Sequence, residues 1–194
     1  MEMKTTTETA RQRLRRQDCA LVVIDIQEKL LPPIHERERL VRNAQLLLRL
    51  AQILDLPIVA TTQYARGLGG VVREIASLLP SQAASDKLEF SCFNDQTFCG
   101  AVKDCAKNRN TLLLCGMETH ICVMQTALGA LDAGYLVHVA ADAVGSRSEF
   151  NWKIGLERMR EAGALISSTE TIIYELLGAS GTPEFKQMLP YLKQ

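Results

Sequence analysis

The chain has 194 residues, 47% of them apolar, and 22 Lys and Arg balance 22 Asp and Glu for a formal net charge of zero. That length suits one domain with a complete core, and the composition excludes disordered and collagen-like classes. The charge balance offers no basic surface for nucleic acid or for an anionic membrane. No apolar run is long enough to span a bilayer and the N-terminus lacks the pattern of a secretory leader, so a cytoplasmic protein is expected. In that reducing compartment Cys19, Cys92, Cys99, Cys105, Cys115 and Cys122 are expected as thiols, most of them small buried hydrophobes. None forms a C-x-x-C and the chain holds 3 histidines, so neither a metal site nor another cofactor is expected.

Arg11, Arg13, Arg15 and Arg16 make residues 1–16 basic, diluted by Glu2 and Glu8, which reads as a solvated arm or helix. Residues 19–24, CALVVI, form a continuous apolar run closing on Asp25, the mark of a strand covered on both faces. Leu40, Ala44, Leu47, Leu48 and Ala51 recur at helical spacing and predict a helix over about 36–54, with Pro57 beyond its end. Residues 58–62 read as a second strand, Gly67, Gly69 and Gly70 as a loop, and 71–79 as a helix. A short third strand is placed within 87–93, followed by a helix that Asp95 caps and that runs to about 107. The strand over 111–115 ends at Gly116, and the helix over 119–133 stops at Gly134. Residues 135–141, closing on Asp142, make a fifth strand, 148–162 a helix and 164–167 a sixth strand, before two short helices. Six strands alternating with helices predict a three-layer α/β/α fold, a parallel Rossmann-like sheet in the order 3-2-1-4-5-6.

Such sheets bind ligands beyond the carboxyl ends of the strands where the order reverses, here between strands one and four. Asp25 ends the first of these, and Cys122 lies in the first turn after the second, where a helix dipole favours thiolate. Each residue also has a plainer reading: a turn-capping carboxylate, a small buried cysteine and, for Lys87, a solvated surface lysine.

At these positions the chain resembles the isochorismatase-like hydrolases, a family that includes nicotinamidases, carbamoyl-amide hydrolases and isochorismatases. Asp25-Ile26-Gln27 is similar to the family's D-x-Q, Lys87 to its central lysine, and Gly116-Met117-Glu118-Thr119-His120-Ile121-Cys122-Val123 to its G-x-x-T-x-x-C-V. Their order agrees from about residue 18 to 177, closest to the isochorismatase-domain subgroup. The resemblance implies a catalytic triad of Asp25, Lys87 and Cys122. It also implies a cis peptide at Met117-Glu118, with the N–H groups of Glu118 and Cys122 as an oxyanion hole. Gln27, Tyr64, Phe90 and Phe93 are candidate substrate contacts, with core packing the equal alternative for the two phenylalanines. Arg147 suits a substrate carboxylate or a surface ion pair, and His120 a supporting place beside the nucleophile. The segment after strand two, Thr61-Thr62-Gln63-Tyr64-Ala65-Arg66-Gly67, lacks the acid and histidines that hold the nicotinamidase metal. The expectation is a homo-oligomeric cysteine hydrolase acting on a small amide, with no nucleic-acid or membrane partner. Cleavage of a vinyl ether, a non-catalytic binding protein and a redox-sensing thiol are the alternatives.

Overall fold

A computed structural model of the chain describes residues 13–80, 84–105, 107 and 109–193. Six parallel strands form one sheet: β1 Cys19–Ile24, β2 Ile58–Gln63, β3 Ala84–Lys87, β4 Thr111–Met117, β5 Leu136–Gly145 and β6 Leu165–Ser167, in the order β3-β2-β1-β4-β5-β6. Side chains of a strand alternate between faces, and β1 shows both. Cys19, Leu21 and Val23 pack on the side of helix α1, Arg37–Ile53, whose Leu40, Ala44, Leu47, Leu48 and Ala51 are buried. Ala20, Val22 and Ile24 pack on the other side, against Phe98, Val102, Ala127, Ala130, Leu156 and Met159. Those six belong to α4, Gln96–Cys105, α5, Met124–Asp132, and α6, Glu149–Glu161. Helices α7, Thr169–Leu177, and α8, Pro183–Leu192, add Ile172, Ile173 and Met188 to the first side. Cores of this kind lose about 2–5 kcal/mol when a buried leucine such as Leu48 is cut to alanine. Among the described residues no helix is long and apolar enough to cross a membrane.

Four expectations about element boundaries change. The third strand is Ala84–Lys87 and shares only Lys87, where it pairs with Gln63, with the expected stretch 87–93. Its four residues, ASDK, lie at the sheet edge with one face in water, so they carry no apolar signal. The helix over 71–79 shrinks to a single turn, α3 at Arg73–Ala76, preceded by another, α2 at Ala65–Leu68. Strand β5 continues past Asp142, whose carboxylate instead accepts from Thr169 N–H and Oγ1 at 2.7 and 2.9 Å and anchors the start of α7. The helix after β4 opens as a π-turn, Thr119–Val123, before α5. Of the basic arm, residues 1–12 lie outside the described residues, and Arg16–Asp18 form one 3-10 turn.

Candidate active site

The ends of β1 and β4 converge because Gly116 allows it. Its φ is +124°, and a Cβ there would lie 2.0 Å from the Ile24 carbonyl oxygen, a distance no side chain tolerates. This close approach sets Asp25, one residue past β1, beside the turn that carries Cys122. Asp25 itself has φ +50°, a left-handed conformation that aspartate adopts more readily than most residues. Thr61 on β2 holds it twice: its carbonyl accepts the Asp25 N–H at 3.2 Å, and its hydroxyl donates to Asp25 Oδ1 at 2.7 Å.

Lys87 reaches the same carboxylate from the end of β3. Its Nζ donates to Asp25 Oδ2 and to Gln63 Oε1, each at 2.7 Å, and neither charged side chain has any exposure. Burial disfavours the ammonium, but the Asp25 carboxylate, together with Cys92 and Cys122 once they are ionised, outweighs it and holds Lys87 above the ordinary lysine value. Cys122 Sγ lies 4.0 Å from the same Gln63 Oε1. Asp25, Lys87 and Cys122, separated by up to 97 positions in sequence, therefore meet in one buried cluster at the reversal of strand order.

The helix dipole by itself favours the Cys122 thiolate. Burial wins instead: with 6% of its surface exposed, Cys122 is pushed up to about 12, chiefly by desolvation and next by the Asp25 charge, against the pull of Lys87. At neutral pH Cys122 is therefore a neutral thiol.

Gln27 plays a different part from the one expected. Its Oε1 accepts the Gln63 N–H at 2.7 Å while its Nε2 donates to the carbonyls of Gln63 and Gly69 at 3.1 and 2.7 Å. Every polar atom of that amide is engaged by backbone, so Gln27 braces the end of β2. The Phe93 ring packs against other aromatics, Phe98 at 5.5 Å and Tyr135 at 5.8 Å. Tyr64 and Phe90, 48% and 55% exposed, flank the ends of β2 and β3 and can form a rim. The Glu118 carboxylate turns to Arg147, accepting from its N–H at 3.0 Å and from its Nε at 3.1 Å, so Arg147 forms the ion pair. His120 Nδ1 lies 3.0 Å from Ser146 Oγ and supports the turn from that side. The peptide Met117-Glu118 is cis. Among the described residues no group of three or more His, Cys, Asp or Glu is arranged to hold a metal ion.

Sequence reasoning missed Gln63, Thr61 and Cys92. The two β2 residues carried a signal, being polar positions at the carboxyl end of an otherwise apolar buried strand next to β1. Cys92 carried none, since it lies in a 3-10 turn, Cys92–Asn94, that only folding brings to Thr61.

The comparisons with known proteins agree with this architecture. The family model for the isochorismatase domain matches residues 19–171. The secreted isochorismatase effector Isc1 of Phytophthora sojae is 37% identical, over 90% of this chain and 84% of its own length. The structure of a MAR1 ribonuclease from Caenorhabditis elegans superposes with a TM-score of 0.87 at 32% identity, covering 94% of this chain and 93% of that one. The YcaC gene product of Escherichia coli, described as an octameric hydrolase of unknown specificity, gives 0.84 at 27% identity, with 93% of each chain covered. A six-stranded α/β/α fold with a buried Asp–Lys pair and a cysteine at its switch point is that of an isochorismatase-like hydrolase. The chain belongs to the isochorismatase family.

Proposed function

We propose that the chain is one hydrolase domain that cleaves the carbon–nitrogen bond of a small amide through a thioester on Cys122. The observation that carries this reading is the cluster itself: a neutral buried thiol beside a carboxylate whose partner is a fixed ammonium. Asp25 takes the thiol proton as Cys122 Sγ bonds to the substrate carbonyl carbon. Lys87 keeps its proton and offsets the negative charge throughout. The carbonyl oxygen of the tetrahedral adduct accepts from the N–H groups of Glu118 and Cys122. In support, the Glu118 carbonyl accepts from the Ile121 and Val123 N–H groups, on either side of that of Cys122, at 3.0 and 3.2 Å. The adduct collapses as the C–N bond breaks, and Asp25 returns its proton to the leaving nitrogen. Water then adds to the thioester, giving its proton to Asp25, and the acid leaves as that proton returns to sulfur.

Tyr64 and Phe90 are the proposed rim, and no metal enters the scheme, since residues 61–67 bring neither acid nor histidine. The proposed location is the cytoplasm, supported by the free thiols of Cys19, Cys92, Cys99, Cys115 and Cys122. The proposed assembly is a homo-oligomer. Exposed apolar residues support it: Phe150, 72% exposed, with Ile154 one turn on, and Leu88, 69% exposed, beyond β3. RNA is no part of the proposal, because the 22 basic residues are matched by 22 acidic ones.

The test is a panel of small amides read by ammonia release, run beside isochorismate read by pyruvate release. The expected result is ammonia from at least one amide with the wild type and none with Cys122→Ala. Pyruvate release that survives Cys122→Ala, with no amide turned over, overturns the covalent reading in favour of ether hydrolysis.

A further inference from the structure

Thr61 and Cys92 lie in the site but have no part in the steps above. Thr61 has a single hydroxyl proton, and the 2.7 Å contact to Asp25 Oδ1 takes it, since an ionised carboxylate only accepts. The second contact of that hydroxyl, 3.8 Å to Cys92 Sγ, must then run the other way, with the thiol as donor. The protonation state agrees: burial, foremost, pushes Cys92 up to about 11, against the pull of Lys87. Cys92 is fixed in turn, its N–H donating to Thr126 Oγ1 on α5 at 3.0 Å while the neighbouring Ser91 Oγ donates to the Gln125 carbonyl at 3.2 Å.

We infer that Thr61 is the positioning residue for Asp25, its hydroxyl oriented by the Cys92 thiol so that its proton points at Oδ1. Lys87 holds Oδ2. With one donor on each oxygen, the carboxylate keeps a single orientation and leaves its remaining lone pairs for the Cys122 proton. The groups that face Asp25 are thus Thr61 from β2, Lys87 from β3, Cys92 from the 3-10 turn and Cys122 from the π-turn. Thr61 also accepts the Asp25 N–H, so side chain and backbone are held from one residue. Without the hydroxyl, Oδ1 loses a charge-assisted hydrogen bond that water cannot readily replace at a buried site.

The inference rests on the reading of Asp25 as base to Cys122, and the experiment separates the two. Acrylamide is the probe, a small amide whose β-carbon bonds to sulfur while the thiol proton ends on the α-carbon. Its addition at Cys122 is followed by peptide mass spectrometry over about pH 5 to 9 in the full-length wild type, Thr61→Val, Thr61→Ser, Thr61→Ala, Cys92→Ala and Asp25→Asn. Losing one hydrogen bond to a charged group is expected to slow Thr61→Val about tenfold on the acid limb. Thr61→Ser keeps the wild-type profile, and Cys92→Ala is slowed by less. If Thr61→Val does not fold, Thr61→Ala set against Thr61→Ser decides the matter. Wild-type profiles in both Thr61→Val and Thr61→Ala, with Asp25→Asn slow, overturn the role of Thr61 and leave the base intact. A wild-type rate in Asp25→Asn overturns the base itself, and with it this inference.

Discussion

Replacing Lys87 by methionine is the sharpest test of the cluster, because it removes a charge and leaves the volume nearly unchanged. Lys87 Nζ and Asp25 Oδ2 are 2.7 Å apart and both side chains have zero exposure, so water screens neither. Removing one partner of a buried pair leaves the other as an uncompensated charge and costs about 3–5 kcal/mol. Gln63 Oε1, the second acceptor of the ammonium, also loses its donor. Urea unfolding at neutral pH should give Lys87→Met a stability lower by that amount at an unchanged m-value. The double variant Asp25→Asn/Lys87→Met should recover much of the loss, since no buried charge then remains. A Lys87→Met protein as stable as the wild type would refute the reasoning, and it would mean that water reaches Asp25 in solution.

Four further outcomes are expected. Dilute iodoacetamide should label Cys99 ahead of Cys122, because Cys99 is half-buried while Cys122 is 6% exposed and pushed up to about 12; first labelling at Cys122 would show the site to be open. Stability should fall as pH rises above 9.0, because Cys19, Cys115 and Cys122, raised to about 12, and Cys92, raised to about 11, keep protons that the unfolded chain releases. Urea midpoints should show Cys122→Ala losing roughly 2 kcal/mol less than the wild type between about pH 8 and 10.5, and equal losses would contradict the burial of that thiol. Gly116→Ala should fail to yield folded protein or lose more than about 4 kcal/mol, as the new Cβ meets the Ile24 carbonyl at 2.0 Å; a fold of wild-type stability by circular dichroism melting would show the strand ends to be further apart. Phe150→Glu should lower the mass measured by light scattering from that of an assembly toward 21.5 kDa, and an unchanged mass would remove this face of α6 from the interface.

The central strands and long helices were legible in the sequence because burial on both faces writes a continuous apolar run and burial on one face writes a helical stripe. The runs at residues 19–24 and 111–115 and the spacing of Leu40, Ala44, Leu47, Leu48 and Ala51 therefore appear in the structure as read, and with them the strand order and its switch point. The family motifs carried Asp25, Lys87 and Cys122 for the same local reason, each standing in a short segment whose neighbours identify it. Tertiary structure alone decided the rest. Strand β3 is polar because it lies at an edge, so nothing periodic announces it. Gln27 looked like a substrate contact until the backbone of residues 63 and 69 came within reach of its amide. The state of the Cys122 thiol depends on how much water the fold removes and on neighbours as distant in sequence as Asp25, Lys87 and Cys92. The grip of Thr61 and Cys92 on Asp25 joins positions 25, 61 and 92, and hydrogen bonds between residues so far apart in the chain leave no pattern within any one segment.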